Sequence, residues 1–214
     1  MHISEGVLST SAWATGTILT VAGVALGLRK VEYDRLPEVA VLSSVFFVAS
    51  LVHVPIGPSA VHLVLNGVCG LLLGWAAFPA ILVGLTLQVL LFQFGGLTTL
   101  GINTFNMAFP AVLVGYACSS FLTSESSLVR GVAEFAAGAV SILLSGILVA
   151  ACLVATGSAF APAAKLIIVA HIPVMVVEGL ITLFIVEFLR KVRPEMLGRI
   201  ESSELDRERR PEAS

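Results

Sequence analysis

Residues 130–156 read RGVAEFAAGAVSILLSGILVAACLVAT, and no residue after Glu134 in this stretch carries a charge. About 20 apolar residues in a helix cross the hydrocarbon core of a bilayer. Lipid offers no partner for backbone N–H and C=O groups, so a lone apolar segment of this length is expected to be helical. The stretch therefore indicates a helical membrane protein.

Similar apolar stretches recur along the whole chain. The sequence is 57% hydrophobic and 12% charged, with a mean hydropathy of +1.00, whereas an average soluble domain has about 25% charged residues. We predict an all-α polytopic membrane protein, a bundle of about seven transmembrane helices. The predicted spans are 7–28, 37–55, 61–76, 78–94, 104–122, 130–156 and 164–189.

The basic residues predict the orientation of the bundle. If the first of seven spans runs from outside to inside, Lys165 is the basic residue left on the outer side. The inner side then receives Arg29, Lys30, Arg35, Arg130, Arg190, Lys191, Arg193, Arg199, Arg207, Arg209 and Arg210. This is a strong positive-inside bias, so we expect the amino terminus outside and the carboxyl terminus in the cytoplasm.

The chain is expected to form one transmembrane metal-binding domain over residues 1–193, followed by a charged cytoplasmic tail over 194–214. The tail mixes acidic and basic residues. Such a mixture is more typical of a solubilising end than of a nucleic-acid contact, so no nucleic-acid partner is expected.

The chain opens with MHISEG, which puts a histidine directly behind Met1. His2 in this position can offer a metal the α-amine of Met1, its own deprotonated amide nitrogen and its imidazole Nδ1. The first two nitrogens close a five-membered chelate ring, and the last two close a six-membered ring. A planar set of nitrogens suits Ni(II) or Cu(II), and a fourth donor must come from elsewhere. The alternative is that His2 is a frayed terminal residue.

The other histidines are His53, His62 and His171, and the span map places all of them in the outer half of the membrane. His62 is the best fourth ligand, because the prolines and glycine of PIGPS should form a turn that presents it in the first turn of the next helix, with Pro58 and Ser59 as helix-start residues. His53 is expected to be a packing or gating residue. His171 is a candidate second-shell residue that orients a ligand. Any one of these histidines taken alone is more often an interface or packing residue, but four on one side of the membrane indicate a metal site near the outer surface.

Several polar groups are weaker candidates. Glu178 lies deep in the last span, where an ionisable group is costly and usually functional. It is expected to accept a hydrogen bond from a ligand histidine, or to join two helices as a protonated acid. Asn66, Asn103 and Asn106 are candidates for bonding the amino-terminal backbone. The glycine-rich loop 95–103 is either a cap over the site or a simple connection.

Four segments carry a resemblance to a known family. MHISEG resembles the MHIPEG or MHIMEG opening of the NikM/CbiM family, the substrate-binding components of nickel and cobalt energy-coupling-factor (ECF) transporters. SAVHLVLN at 59–66, LFQFGGLTTLGINT at 91–104 and HIPVMVVEGLIT at 171–182 are similar to further family segments. The nickel branch fits better, since the cobalt branch usually has a SHPTG-like sequence where SAVHLVLN stands. Ser4 departs from the family pattern at a position not expected to bind metal.

The resemblance implies a seven-helix bundle whose amino terminus folds back into the core. Met1, His2 and His62 would hold Ni(II), and possibly Co(II), through four nitrogens. It also implies a prokaryotic cell membrane and several partners: a transmembrane coupling subunit, two ATPase subunits and a small accessory membrane subunit. The sequence has no G-x-x-x-x-G-K-[ST] segment, which agrees with a transporter subunit that does not hydrolyse ATP itself.

Two other functions remain open at the level of sequence. A self-sufficient divalent-cation permease or channel would need acidic residues along a continuous path, and Glu178 is the one near the middle of the membrane. An intramembrane metalloenzyme would need an open coordination position and a nearby base. Four planar nitrogens would leave such a metal only weak axial positions.

Overall fold

The computed structural model describes residues 2–56 and 59–197. This part of the chain forms seven α-helices and one short β-hairpin. In chain order they are α1 (Thr10–Lys30), α2 (Leu36–Ala49), β1 (His53–Ile56), β2 (Ser59–His62), α3 (Asn66–Leu73), α4 (Ala77–Phe92), α5 (Leu100–Ser119), α6 (Ser127–Thr156) and α7 (Ala161–Val192). The predicted ligand Met1, the predicted turn residue Pro58 and the tail beyond residue 197 lie outside the described residues.

Five segments of the described chain are long and apolar enough to cross a membrane. They are Thr10–Lys30, Asn66–Phe92, Leu100–Ser119, Ser127–Thr156 and Ser158–Val192. The prediction of a multi-pass helical membrane protein is therefore confirmed. The count of seven transmembrane helices and the orientation stay predictions, because α2 has 14 residues and α3 has 8. At about 1.5 Å per residue neither reaches the roughly 30 Å of a hydrocarbon core by itself.

The segment between α2 and α3 differs from the prediction. We predicted helices over 37–55 and 61–76, but residues 53–56 and 59–62 form an antiparallel hairpin. The register pairs His53 with His62 and Ile56 with Ser59. His62 therefore ends a strand rather than starting a helix, His53 begins a strand, and Ser59 belongs to β2. Val54, Ile56 and Val61 are β-branched and favour strands, and these short-range preferences outweigh the overall apolar composition.

Close packing around α3 holds the centre of the bundle together. All eight residues of α3 are buried. A Cβ atom added at Gly70 would lie 1.9 Å from the carbonyl oxygen of Ala111 in α5, and one added at Gly115 would lie 2.5 Å from the backbone of Gly70. The two helices therefore touch backbone to backbone, as small residues allow in membrane bundles. This contact fixes the helix that follows the histidine-bearing hairpin.

Replacing Gly70 by alanine is expected to destabilise the bundle. The new methyl group would meet a backbone oxygen, which cannot move aside as a side-chain tip can, and overpacking typically costs about 1–3 kcal/mol. A lower midpoint of thermal unfolding in detergent, by several degrees, should follow. Gly131→Ala in α6 is the matched control, because the nearest atom to its added methyl group would be Leu183 Cδ1 at 3.8 Å, an ordinary van der Waals contact. Equal midpoints for the two variants would contradict the close α3–α5 contact.

Candidate metal site

Two histidines that are far apart in sequence meet inside the protein. His2 is 5% exposed and His62 is 2% exposed. Their imidazole rings stack with centroids 4.5 Å apart and an angle of 19° between the ring planes. Phe94, which precedes α5, lies on the edge of this pair, with its ring centroid 6.2 Å from that of His2. The amino-terminal segment therefore reaches the end of the hairpin, and His2 is not a frayed residue.

The backbone of Ile3 is clamped by two side chains near the start of α5. The Ile3 N–H donates to Asn103 Oδ1 at 2.9 Å, and Asn103 Nδ2 donates back to the Ile3 carbonyl oxygen at 3.1 Å. The hydroxyl of Thr99 donates to the same carbonyl at 3.0 Å. The Ile3 side chain is fully buried in the core. Both backbone polar groups of Ile3 are thus satisfied, which offsets the cost of taking them out of water.

The loop before α5 lies against the same segment. Glu5 Oε1 accepts hydrogen bonds from the hydroxyl of Thr98 at 2.6 Å and from its N–H at 3.3 Å. Gly95 has φ +81°, a conformation that glycine adopts without strain. A Cβ atom at Gly95 would lie 3.5 Å from His2 Cβ and 3.7 Å from His2 Nδ1. The glycine-rich loop therefore covers the amino-terminal segment closely.

The hydrogen bonding of His62 determines which of its nitrogens is available. His62 Nδ1 lies 2.9 Å from the carbonyl oxygen of Leu63. A carbonyl only accepts, so Nδ1 carries the hydrogen and donates it, and Nε2 keeps its lone pair. Nε2 is buried and has no hydrogen-bond partner among the described residues. Burial also lowers the pKa of His62 well below its usual value. The ring is therefore a neutral imidazole with a bare Nε2, the form that binds metals.

Among the described residues, Glu178 hydrogen-bonds to backbone groups and not to His2 or His62. Its carboxylate accepts hydrogen bonds from the backbone N–H groups of Val64 and Leu65, two and three residues after His62. The side chain is 0% exposed. The carboxylate therefore joins α7 to the segment between β2 and α3. The sequence analysis expected a bond from a histidine or a protonated acid between two helices, whereas the structure shows an acceptor for two backbone N–H groups of a non-helical link.

The remaining candidates bond elsewhere. Asn66 Nδ2 donates to Ser145 Oγ at 3.0 Å, and Asn106 pairs with Cys152 Sγ at 3.7 Å. His171 Nδ1 lies 2.6 Å from the carbonyl oxygen of Ile167 in its own helix. Of the three asparagines, Asn103 is the one that bonds the described amino-terminal backbone.

The sequence reasoning missed the two threonines and Glu5. The sequence singled out the loop GGLTTLG for its glycines, whereas the hydroxyls of Thr98 and Thr99 make the bonds. A signal was present, because Thr99 and Asn103 are four residues apart and share one face at the start of a helix. Glu5 belongs to the opening hexapeptide, but no partner for it could be read from the sequence.

Comparisons with known proteins show the family to which the chain belongs. Residues 2–196 match the model of the CbiM family, the cobalt uptake substrate-specific transmembrane region. A protein of Haemophilus influenzae named "Putative metal transport protein" is 42% identical over 204 residues, which cover 94% of this chain and 99% of that protein. The fused nickel transport protein NikMN of Rhodobacter capsulatus is 35% identical over 134 residues, 60% of this chain and 39% of that longer protein.

A solved structure has the same fold. The crystal structure of a truncated transition metal transporter superposes with a TM-score of 0.72 at 26% identity, covering 89% of this chain and 99% of that one. The family match spans nearly the whole described bundle, including the paired histidines and the Asn103 clamp. The chain therefore belongs to the CbiM family, and it is a multi-pass membrane component of cobalt and nickel uptake.

Proposed function

We propose that the protein is the metal-capturing subunit of an ECF-type importer and that its substrate is Ni(II), with Co(II) as a second possibility. The ion is held by the α-amine of Met1, the amide nitrogen and Nδ1 of His2, and Nε2 of His62. This donor set requires a free α-amine on Met1. The observation that carries the proposal is the buried pairing of His2 with the bare Nε2 of His62.

The donor set explains why nickel is the favoured substrate. Two imidazoles leave a four-coordinate ion with two positions to fill, and a chain start next to His2 supplies two nitrogens through small chelate rings. Four planar nitrogens favour low-spin Ni(II), whereas Zn(II) prefers tetrahedral ligands and Mg(II) prefers oxygen. Cu(II) binds nitrogen sites at least as tightly, so metal supply contributes to selectivity.

The clamp on Ile3 supports this use of the chain start. Closing chelate rings requires a fixed backbone, and the bonds from Asn103 and Thr99 hold the residue directly after His2. A preorganised segment loses less conformational entropy when the ion binds. The site therefore resembles a rigid chelator whose last ligand comes from the hairpin.

Release of a tightly bound ion towards the cytoplasm requires energy. Following the family, we assign this step to a transmembrane coupling subunit and two ATPase subunits, with a small accessory membrane subunit in addition. The permease alternative has little support, because backbone N–H groups already occupy the carboxylate of Glu178. The division into a bundle over 1–193 and a cytoplasmic tail over 194–214 is part of the same proposal.

The absorption spectrum of the nickel-loaded protein tests the donor set directly. We expect a yellow-to-orange, diamagnetic species with one nickel per chain, because four strong-field nitrogens in a plane pair the electrons of a d8 ion. The measurement is visible absorption with magnetic susceptibility on protein purified in detergent. Loading with Zn(II) is the control, because a d10 ion has no d–d absorption band in the visible range. A paramagnetic, pale green species typical of octahedral nickel would contradict the planar site.

A further inference from the structure

Glu178 lies in the middle of α7 and bonds a segment distant in sequence. Leu65 N lies 3.0 Å from each of the two carboxylate oxygens, and the N–H of Val64 bonds Oε1. These two residues connect β2, which ends at His62, to α3, which begins at Asn66. A fully buried carboxylate thus holds the link that directly follows the proposed ligand.

The local backbone explains why this link needs outside support. The first N–H groups of a helix have no partner within the helix. Leu65, at the N-cap position of α3, makes no side-chain cap and has φ +56° and ψ +31°, the left-handed region. A branched residue such as leucine is strained there and keeps that conformation only when its surroundings impose it. The side chain of Glu178 supplies the missing acceptor.

The same bonds determine where the imidazole of His62 stands. His62 Nδ1 donates to the carbonyl of Leu63, so the ring orientation depends on the path of the backbone after the strand. The next two N–H groups along that path are those held by Glu178. A continuous series of hydrogen bonds therefore runs from the ring through residues 63–65 to α7.

Glu178 is itself a fixed reference point. A Cβ atom at Gly138 of α6 would lie 2.5 Å from the carbonyl oxygen of Glu178, so the two helices touch at this level. The side chain of Glu178 therefore projects from a helix that is held in place at this level, and it can set the position of the strained segment 63–65.

We propose that Glu178 is a positioning residue for the metal site: it fixes the backbone after His62 and thereby aims Nε2 at the captured ion. This inference rests on the proposed function and adds a residue that touches neither the ion nor either imidazole. Outer residues that orient metal ligands typically change metal affinity by about 10- to 100-fold when they are lost.

The test is nickel titration by calorimetry of Glu178→Gln in the full-length chain, with the visible spectrum of the loaded protein. Glutamine keeps the shape but offers an NH2 group where the second acceptor stood. We expect nickel affinity to fall by at least about tenfold, with one nickel per chain retained and the d–d absorption band shifted. Glu134→Gln is the matched control, because Glu134 is also a fully buried carboxylate, bonded to Arg190. It should lower the unfolding midpoint and leave nickel affinity within about twofold of wild type, well inside the effect of a lost orienting residue.

Glu178→Asp keeps the proposal testable if the glutamine variant does not fold. Aspartate retains both acceptor oxygens but is one methylene shorter, so it should pull the 63–65 link towards α7 and weaken nickel binding while the fold is kept. A folded variant at Glu178 with wild-type affinity and spectrum overturns the positioning role. A wild-type chain that binds no nickel overturns the proposed function itself, which separates the two failures.

Discussion

A removable extension of several residues before Met1 is expected to lower the affinity for Ni(II) by more than about 1000-fold, equivalent to about 4 kcal/mol. The extension moves the charged amine away from His2 and turns the Met1 nitrogen into an ordinary amide. Neither chelate ring can then form, because a backbone amide gives up its proton to a metal readily only when a neighbouring amine already binds that metal. One added residue is unsuitable, since a histidine in third place can chelate through the amine and two amides.

The extended protein provides its own control. Cleavage by a site-specific protease that restores Met1 as the first residue should restore nickel binding in the same sample, as measured by isothermal titration calorimetry. The same extension placed after Ser214 should have no effect. Equal affinity before and after cleavage would show that the chain start supplies no donor, and the proposed ligand set would then be wrong.

Replacing His62 by alanine is expected to cost at least about 100-fold in nickel affinity, or about 2.7 kcal/mol. The three nitrogens from residues 1 and 2 would remain, so weak binding with water in the fourth position should persist. Because the Nε2 of His62 is already bare and buried, its loss removes a donor without breaking any hydrogen bond that the structure shows for that atom. The variant also loses the bond from His62 Nδ1 to the carbonyl oxygen of Leu63, so the unfolding midpoint should fall as well.

His53→Ala is the matched control for this variant. His53 lies in the same hairpin and pairs with His62 in the strand register, yet we assign it no metal-binding role. We expect its nickel affinity within about threefold of wild type, far less than loss of a ligand. Equal losses for the two variants would mean that the hairpin as a whole, and not the His62 imidazole, carries the effect.

The composition and length of the apolar stretches were sufficient to predict five of the helices. The long apolar stretches became α1, α4, α5, α6 and α7 with shifts of a few residues at the ends. The same reasoning failed at residues 50–65, where apolar content alone does not distinguish strand from helix. The β-branched residues on either side of Pro55 favour a strand. We assigned them to a transmembrane helix because the surrounding stretch is apolar.

The candidate site was only partly readable. His2 and His62 were singled out from chain position and side-chain chemistry, and the structure places them in contact. The bonds that hold them were not readable, because Asn103 and Glu178 act on backbone groups of Ile3, Val64 and Leu65. A backbone group carries no side-chain signature, so such partners are found only when the fold brings them together.

The hydrogen bonds at Ile3 fix where the amino-terminal segment lies relative to α5. Asn103 bonds both backbone polar groups of Ile3, the residue directly after His2. If a processing enzyme trimmed Met1, histidine would come first and its amide would no longer exist as a donor. Metal capture would thus depend on amino-terminal maturation, and a cell could silence the subunit by removing or capping a single residue.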